Sequence, residues 1–205
     1  SIDLDRFTPE IALSAAAATL PLGIRLADLH GLVTVHDGKA ELKEFGAALA
    51  SGAVAATGDL ARSGEFTTHV SARGVDLGQL LRETRGQSLV SGGTTTLHAD
   101  FQGRIFGGKT IMASLKGRAD LSMGRASVSN SFSDRFGLLQ VFNIIDRALP
   151  LGPSIPVNCA AGRFMIDGGV ARTRGLMIDT PRLALWVSGR IILDTEGIEL
   201  RVEPQ

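Results

Sequence analysis

The stretch Gly103-Arg-Ile-Phe-Gly-Gly-Lys109-Thr110 satisfies the phosphate-loop pattern G-x-x-x-x-G-K-[ST]. In that chemistry backbone N–H groups wrap the phosphates, Lys109 would reach the terminal ones, and the Thr110 hydroxyl would hold a magnesium ion. Asp194, following Ile191-Ile192-Leu193, stands where a magnesium-holding aspartate would be sought. Such a loop needs a buried parallel strand before it and a long helix after it. The preceding residues Thr94–Gln102 alternate strictly between apolar and polar, as a half-exposed antiparallel strand does. About seven residues separate Thr110 from Gly117, too few for a crossover helix. In a chain with 25 glycines the match reads as coincidence.

The other reactive side chains are scattered. His30 and His36 share a strand face but are separated by ~20 Å of strand rise, too far for one metal ion. His69 and His98 fall on the polar sides of their strands, with no H-x-x-x-H or C-x-x-C beside them. Cys159 is the single cysteine, so it has no internal disulfide partner, and its Pro-Val-Asn-Cys-Ala-Ala-Gly context reads as a strand holding a small hydrophobe. Asp3/Asp5 and Asp134/Asp146 suit caps and exposed faces, and no G-x-S-x-G elbow is present. The residues therefore predict no catalytic group, no metal site and no cofactor.

The elements that carry these residues are mostly strands. Phe66, Thr68, Val70 and Ala72 alternate with Glu65, Thr67, His69 and Ser71. Leu97, Ala99 and Phe101 alternate with Thr96, His98, Asp100 and Gln102, and Ile198, Leu200 and Val202 with Glu199, Arg201 and Glu203. Leu183, Leu185, Val187, Ile191 and Leu193 recur at even spacing too. Period two of this kind reads as half-buried antiparallel strands. Asp37-Gly38 and Asp167-Gly168-Gly169 are hairpin turns between such runs. Helical spacing is confined to Val75–Thr84, with Leu77, Leu80 and Leu81 in register, and to Ser133–Leu149. The second carries Phe136, Leu139, Phe142, Ile145 and Leu149 on one stripe, with Ser133 as N-cap and Pro150 as stop. Thr110–Lys116 fits a helical turn or a strand equally.

Composition agrees with a packed β-rich domain. The 205 residues hold 21 Lys+Arg against 21 Asp+Glu, which argues against a protein that wraps nucleic acid. With 44% hydrophobic residues the chain is not disordered. No apolar run reaches the ~18 residues of a membrane helix, and Asp3, Asp5 and Glu10 precede the Ala-rich Ile11–Leu22 where a signal peptide would be basic. Residues 1–23 read as a linker leading into the first strand, and residues 24–205 as one β-rich domain, in all an excised piece of a longer chain.

The last third has an ordered set of motifs. They run from Phe142-Asn-Ile-Ile through Ile155-Pro-Val-Asn-Cys-Ala-Ala-Gly-Arg-Phe-Met-Ile-Asp-Gly-Gly-Val and Gly175-Leu-Met-Ile-Asp-Thr-Pro. They end in Val187-Ser-Gly-Arg-Ile-Ile-Leu-Asp-Thr-Glu-Gly-Ile-Glu-Leu-Arg-Val-Glu-Pro. This order resembles the C-terminal region of the AsmA family of bacterial envelope proteins. Val33–Leu49 with Gly52–Leu60, Gly74-Val-Asp-Leu-Gly-Gln-Leu-Leu, and Leu115-Lys-Gly-Arg-Ala-Asp-Leu extend the likeness over roughly residues 24–205. In that family a variable Gly-rich link occupies the place of Gly103–Thr110.

The resemblance implies a curled antiparallel β-sheet, meander-like and groove-like, with an amphipathic helix near 133–149. It implies a periplasmic domain attached to the inner membrane by an anchor outside this fragment, acting without catalysis in outer-membrane biogenesis. The implied partners are phospholipid acyl chains carried between the two membranes, and envelope proteins; no nucleic acid is expected. The rival expectation is a structural or interaction module that caps a longer sheet or docks envelope partners without lipid. The resemblance names no lipid-contact residue, and the alternation alone leaves open whether the apolar faces close into a core or line a groove.

Overall fold

In a computed structural model residues 9–20, 23–85, 90–106, 110–129, 154–195 and 197–204 are described. The alternating runs become strands β1 (Glu10–Thr19), β2 (Arg25–His36), β3 (Lys39–Leu49), β4 (Gly52–Ala61) and β5 (Glu65–Asp76). After helix α1 (Leu77–Arg85) come β6 (Val90–Gly92) and β7 (Thr94–Arg104). The one-turn α2 (Ile111–Ser114) precedes β8 (Lys116–Met123) and β9 (Ala126–Ser129). The chain continues through β10 (Ser154–Val157), β11 (Cys159–Asp167), β12 (Val170–Asp179), β13 (Ala184–Ile192) and β14 (Gly197–Pro204).

Eleven of these strands form one open, curled antiparallel sheet in the order β1-β2-β3-β4-β5-β7-β8-β11-β12-β13-β14. Each strand pairs with the next one in sequence, apart from two excursions that leave and return. Those excursions supply a small second sheet, β10-β9-β6. The lead-in segment 1–23 contributes β1, a full-length outer strand paired with β2 from Glu10↔Thr34 to Thr19↔Arg25.

Hairpins form where the backbone can turn left-handed. Asp37 and Gly38, with φ of 49° and 73°, join β2 to β3. Ala50 and Ser51 do the same for β3 and β4, with φ of 44° and 66° and no glycine. The helix expected over Val75–Thr84 starts two residues later than its apolar spacing implies. Val75 and Asp76 remain in the ladder opposite Thr95 and Thr94. Asp76 then caps the helix, its Oδ1 accepting the Gln79 N–H at 2.7 Å. The ambiguous Thr110–Lys116 is α2 followed directly by β8, with the Thr110 hydroxyl accepting the Ala113 N–H at 3.1 Å. The expected helix Ser133–Leu149 lies outside the described residues.

Two hydrophobic clusters sit toward opposite ends of the strands. In one, Ala50, Ala72 and Val75 pack with Leu49, Val54, Leu97 and the α1 side chain Leu80. In the other, Leu115, Ile166 and Ala171 pack with Phe101, Ala119, Phe164, Ile191 and Leu193. Among the described residues no large side chain falls below 2% exposure. Two-layer β-sandwiches bury such residues between facing sheets.

Two in-strand glycines let neighbouring backbones approach. Gly117 has φ +145° and an added Cβ would lie 1.9 Å from Asp100 O; Gly189 has φ +147° and its Cβ would lie 2.1 Å from Glu199 O. Both are glycine-only conformations wedged against the adjoining strand. Gly189→Ala is therefore expected to cost at least about 2 kcal/mol, which lowers the thermal midpoint by roughly 4–8 °C in a domain of this size. Gly168→Asn, at a turn where an added Cβ meets nothing within 4 Å, is expected to leave the midpoint nearly unchanged. Calorimetry of the two variants checks the contrast.

Candidate functional site

Register converts the alternation into a surface. Starting from Leu97 on β7, the directly opposed residues are Ala72, Val54 and Ala47 on β5, β4 and β3. In the other direction they are Leu121, Gly162, Leu176, Val187 and Val202 on β8, β11, β12, β13 and β14. Nine strands thus contribute nine residues without one polar side chain. A parallel row runs Leu13, Gly31, Phe45, Ala56, Val70, Ala99, Ala119, Phe164. Eight strand spacings make the first row about 38 Å long.

This face is only partly covered. Ala99 and Val187 are 3% exposed, but Phe45, Val54, Phe66, Leu97, Phe101 and Leu121 stay half-buried. On the outer strands Ile11, Leu13 and Ile198 are 48%, 51% and 42% exposed. The physical capacity of such a surface is to take apolar chains out of water, at about 25 cal/mol per Å².

The opposite face is a charge ladder. The row Thr57, His69, Asp100, Arg118, Met165, Arg172, Arg190, Glu199 runs across eight strands. His69 Nδ1 lies 2.5 Å from Asp100 Oδ1, and Arg118 Nε donates to Asp100 Oδ2 at 2.8 Å. Arg163 Nε donates to Asp120 Oδ1 at 2.5 Å, Arg190 pairs bidentately with Glu199 at 2.7 and 2.9 Å, and Arg104 pairs with Glu65. Hydrogen bonds from His69 and then Arg118 hold the Asp100 carboxyl below its ordinary range. Arg104 does the same for Glu65 and Arg190 for Glu199. All of these pairs are solvent-exposed and serve the sheet by cross-strand attraction.

The residues singled out for chemistry do not converge as a phosphate site would. The strand before the loop, β7, is antiparallel to both its neighbours, and the helix after it is four residues long. Gly107–Lys109 lie outside the described residues. Thr110 and Asp194 do meet, the hydroxyl donating to Asp194 Oδ1 at 2.7 Å, and this bond ties α2 to the β13–β14 turn. His36 pairs with its neighbour Asp37 at 2.9 Å, and the His30 ring stacks over Gly46. Among the described residues no group of three His, Cys, Asp or Glu side chains is placed to hold a metal ion. Cys159 opens β11 opposite Asp179 as a half-buried free thiol.

Sequence reasoning did not find one exposed aromatic. The Trp186 indole lies over Gly175 and donates to Arg174 O at 3.0 Å, on the charged face beside Met177. Trp186 and Met177 are each 40% exposed, and Met165 on the same face is 57%. Only the register of β12 against β13, with its bulge at Arg174-Gly175, brings these residues together.

The fold and this face define an open antiparallel β-sheet with one apolar and one charged surface. Compared with known proteins, the chain matches no family model, no curated protein and no solved structure.

The depressed carboxylates set the sign of the acid response. Their folded pKa values lie below the unfolded ones, so their contribution is complete above the ordinary carboxylate range of about 4. It is lost as pH falls through the depressed folded values. Urea midpoints are expected to be flat from pH 7 to about pH 5 and to fall below it. The triple variant Glu65→Gln, Asp100→Asn, Glu199→Gln is expected to show a shallower fall; an unchanged slope would show that other groups govern it.

Proposed function

We propose that this chain is a non-catalytic lipid-handling β-domain of the AsmA-like kind, working in the bacterial periplasm toward outer-membrane biogenesis. The rest of the full-length protein supplies the inner-membrane anchor. The observation that carries this reading is the apolar face, continuous over the strands of a single curled sheet, partly covered at its centre and open at Ile11, Leu13 and Ile198 on the outer strands. A monomeric domain rarely leaves so large a contiguous apolar surface without something to cover it. An acyl chain is about 15 Å long, half the ~30 Å hydrocarbon core of a bilayer, so the ~38 Å row accommodates one along its length. The flat distribution of Ala, Val, Leu and Phe, without a convergent set of polar groups, suits a ligand recognised by its hydrocarbon and not by its headgroup. The ordered motifs of the last third support the same reading.

The exposed Trp186, Met177 and Met165 favour a second reading, an interaction module for envelope proteins. Aromatic residues, Met and Arg are enriched at protein contacts, and Arg172 and Arg174 flank this patch on β12.

Photo-crosslinking separates the two. Probes at Phe101, Val187 and Leu200, all on the apolar face, are expected to yield phospholipid adducts in cells, whereas protein adducts alone favour the second reading. Solvent extraction of purified protein is expected to recover phospholipid. A carboxylate in the row, Leu121→Glu, is expected to weaken binding of a fluorescent phospholipid at least tenfold, because displacing two or three methylenes at ~0.8 kcal/mol each exceeds the 1.4 kcal/mol of one decade. Thr67→Glu, on the charged face, is expected to leave that binding unchanged, as titration of both variants would show.

A further inference from the structure

The large sheet ends in two outer strands, β1 and β14, and they differ in kind. β1 carries one charged residue, Glu10, whose carboxylate lies 3.7 Å from Lys43 Nζ. β14 reads Gly-Ile-Glu-Leu-Arg-Val-Glu-Pro, with Ile198, Leu200 and Val202 on the apolar face and Glu199, Arg201 and Glu203 on the charged one. The direction of its main-chain groups follows from its neighbour. The Leu193 N–H donates to Gly169 O at 2.9 Å. The odd-numbered residues of β13 therefore face β12, and the even-numbered ones, Trp186 to Ile192, face β14. Gly197, Glu199, Arg201 and Glu203 stand opposite those even-numbered residues and direct their own groups at β13. Ile198, Leu200 and Val202 turn their N–H and C=O groups away from the sheet, where no strand lies among the described residues. Pro204, next in that outward series, has no N–H to turn.

This outward edge is complementary to itself. Laid antiparallel on a second copy with Leu200 at the two-fold axis, Ile198 opposes Val202 of the second copy and Glu199 opposes its Arg201, and both pairs recur by symmetry. Leu200 with its counterpart and the two Ile198–Val202 pairs are then hydrogen-bonded pairs, about six main-chain bonds in all. The Glu199–Arg201 pairs fall at the intervening positions, where side chains come closest and opposite charges attract. Glu199 is already held by Arg190 at 2.7 and 2.9 Å, so a second guanidinium lengthens an existing ladder of charge. Other registers lose the match. An axis at Arg201 sets that residue against itself and Glu199 against Glu203, and an axis at Val202 brings the donorless Pro204 against Leu200 and shortens the overlap. An axis at Ile198 carries Arg201 past the end of the strand. Head-to-tail addition breaks the antiparallel order, because the first and eleventh strands run the same way and β14 would meet β1 in parallel.

We infer that the β14 edge is a homodimerisation site at which two copies join antiparallel about Leu200 and continue one sheet across both. The faces stay matched at the join. The apolar row that ends in Val202 meets Ile198 of the second copy, which begins that copy's row of Ile191, Ala171 and Ile166. The apolar surface then spans both copies without a polar interruption at the seam. The contact is small, at the transient end of protein interfaces, so the dimer forms in proportion to concentration. This site is independent of the lipid-handling reading and holds whatever covers the apolar face.

The test is sedimentation velocity of the whole chain between about 1 and 200 μM, where the parent is expected to pass from monomer to dimer. Glu199→Arg and Arg201→Glu each set like charges opposite one another at both symmetric positions. Each is expected to dimerise at least tenfold more weakly than the parent. An equimolar mixture of the two is expected to recover the dimer, because the mixed pair again places opposite charges face to face at both positions. Leu200→Pro removes an N–H that β13 does not use. It is expected to abolish the dimer while circular dichroism stays that of the parent. A parent that remains monomeric throughout, or charge variants that dimerise as the parent does, would overturn the inference. So would a mixture of folded variants that stays monomeric, or a dimer indifferent to Leu200→Pro.

Discussion

Between β1 and β14, one interaction runs the length of the described molecule: main-chain pairing of each strand with its neighbours. The two hydrophobic clusters are local, one near α1 and one near Leu115, and neither spans the sheet. The ladder therefore does more here than in a sandwich, where two facing layers share the burden. It also explains the glycines inside strands. At Gly117 and Gly189 the backbone itself fills the space where a side chain would stand, so pairing has been kept at the expense of packing.

The ladder makes the two faces mutually dependent. With antiparallel pairing fixed, one residue of slip would move every Leu and Val of the central row into the charged row. The cross-strand pairs Arg118–Asp100, Arg163–Asp120 and Arg190–Glu199 oppose that slip, since each is satisfied in one register only. Individually such exposed pairs stabilise little. Their sum is directional: the charged face specifies alignment and the apolar face receives the consequence.

Much of this was legible in the sequence, and the exceptions have definite physical causes. Alternation in Glu65–Ala72 and Thr96–Gln102 gave both strand and face because period two is a property of one chain segment. The Asp37-Gly38 turn was legible because glycine marks left-handed backbone. Ala50-Ser51 adopts the same geometry without that mark and was not seen. Bulges such as Arg174-Gly175 were invisible, since an extra residue is defined only against a partner strand. The same holds for the nine-residue apolar row and for the placing of Trp186 beside Met177, both of which exist only across strands. Val75 and Asp76 were read into a helix because Val75 continues the leucine spacing of α1, whereas pairing with Thr95 and Thr94 holds them in β5. The meeting of Thr110 with Asp194, 84 positions apart, matched a motif in residue type and served another purpose, a brace between turns.

Nearest-neighbour pairing also has a consequence for cooperativity. In β1 to β4, and again in β12 to β14, each strand pairs only with the strands just before and after it in the chain. Such a structure behaves like a one-dimensional array, in which stability accumulates strand by strand and loop-closure entropy stays small. Loosening at an outer strand need not propagate inward, and the middle strands, β5, β7 and β8, are the ones whose opening requires the whole array to come apart. A sheet of this kind can be lengthened or shortened by hairpins without redesigning its interior, because it has no shared centre for a new strand to disturb.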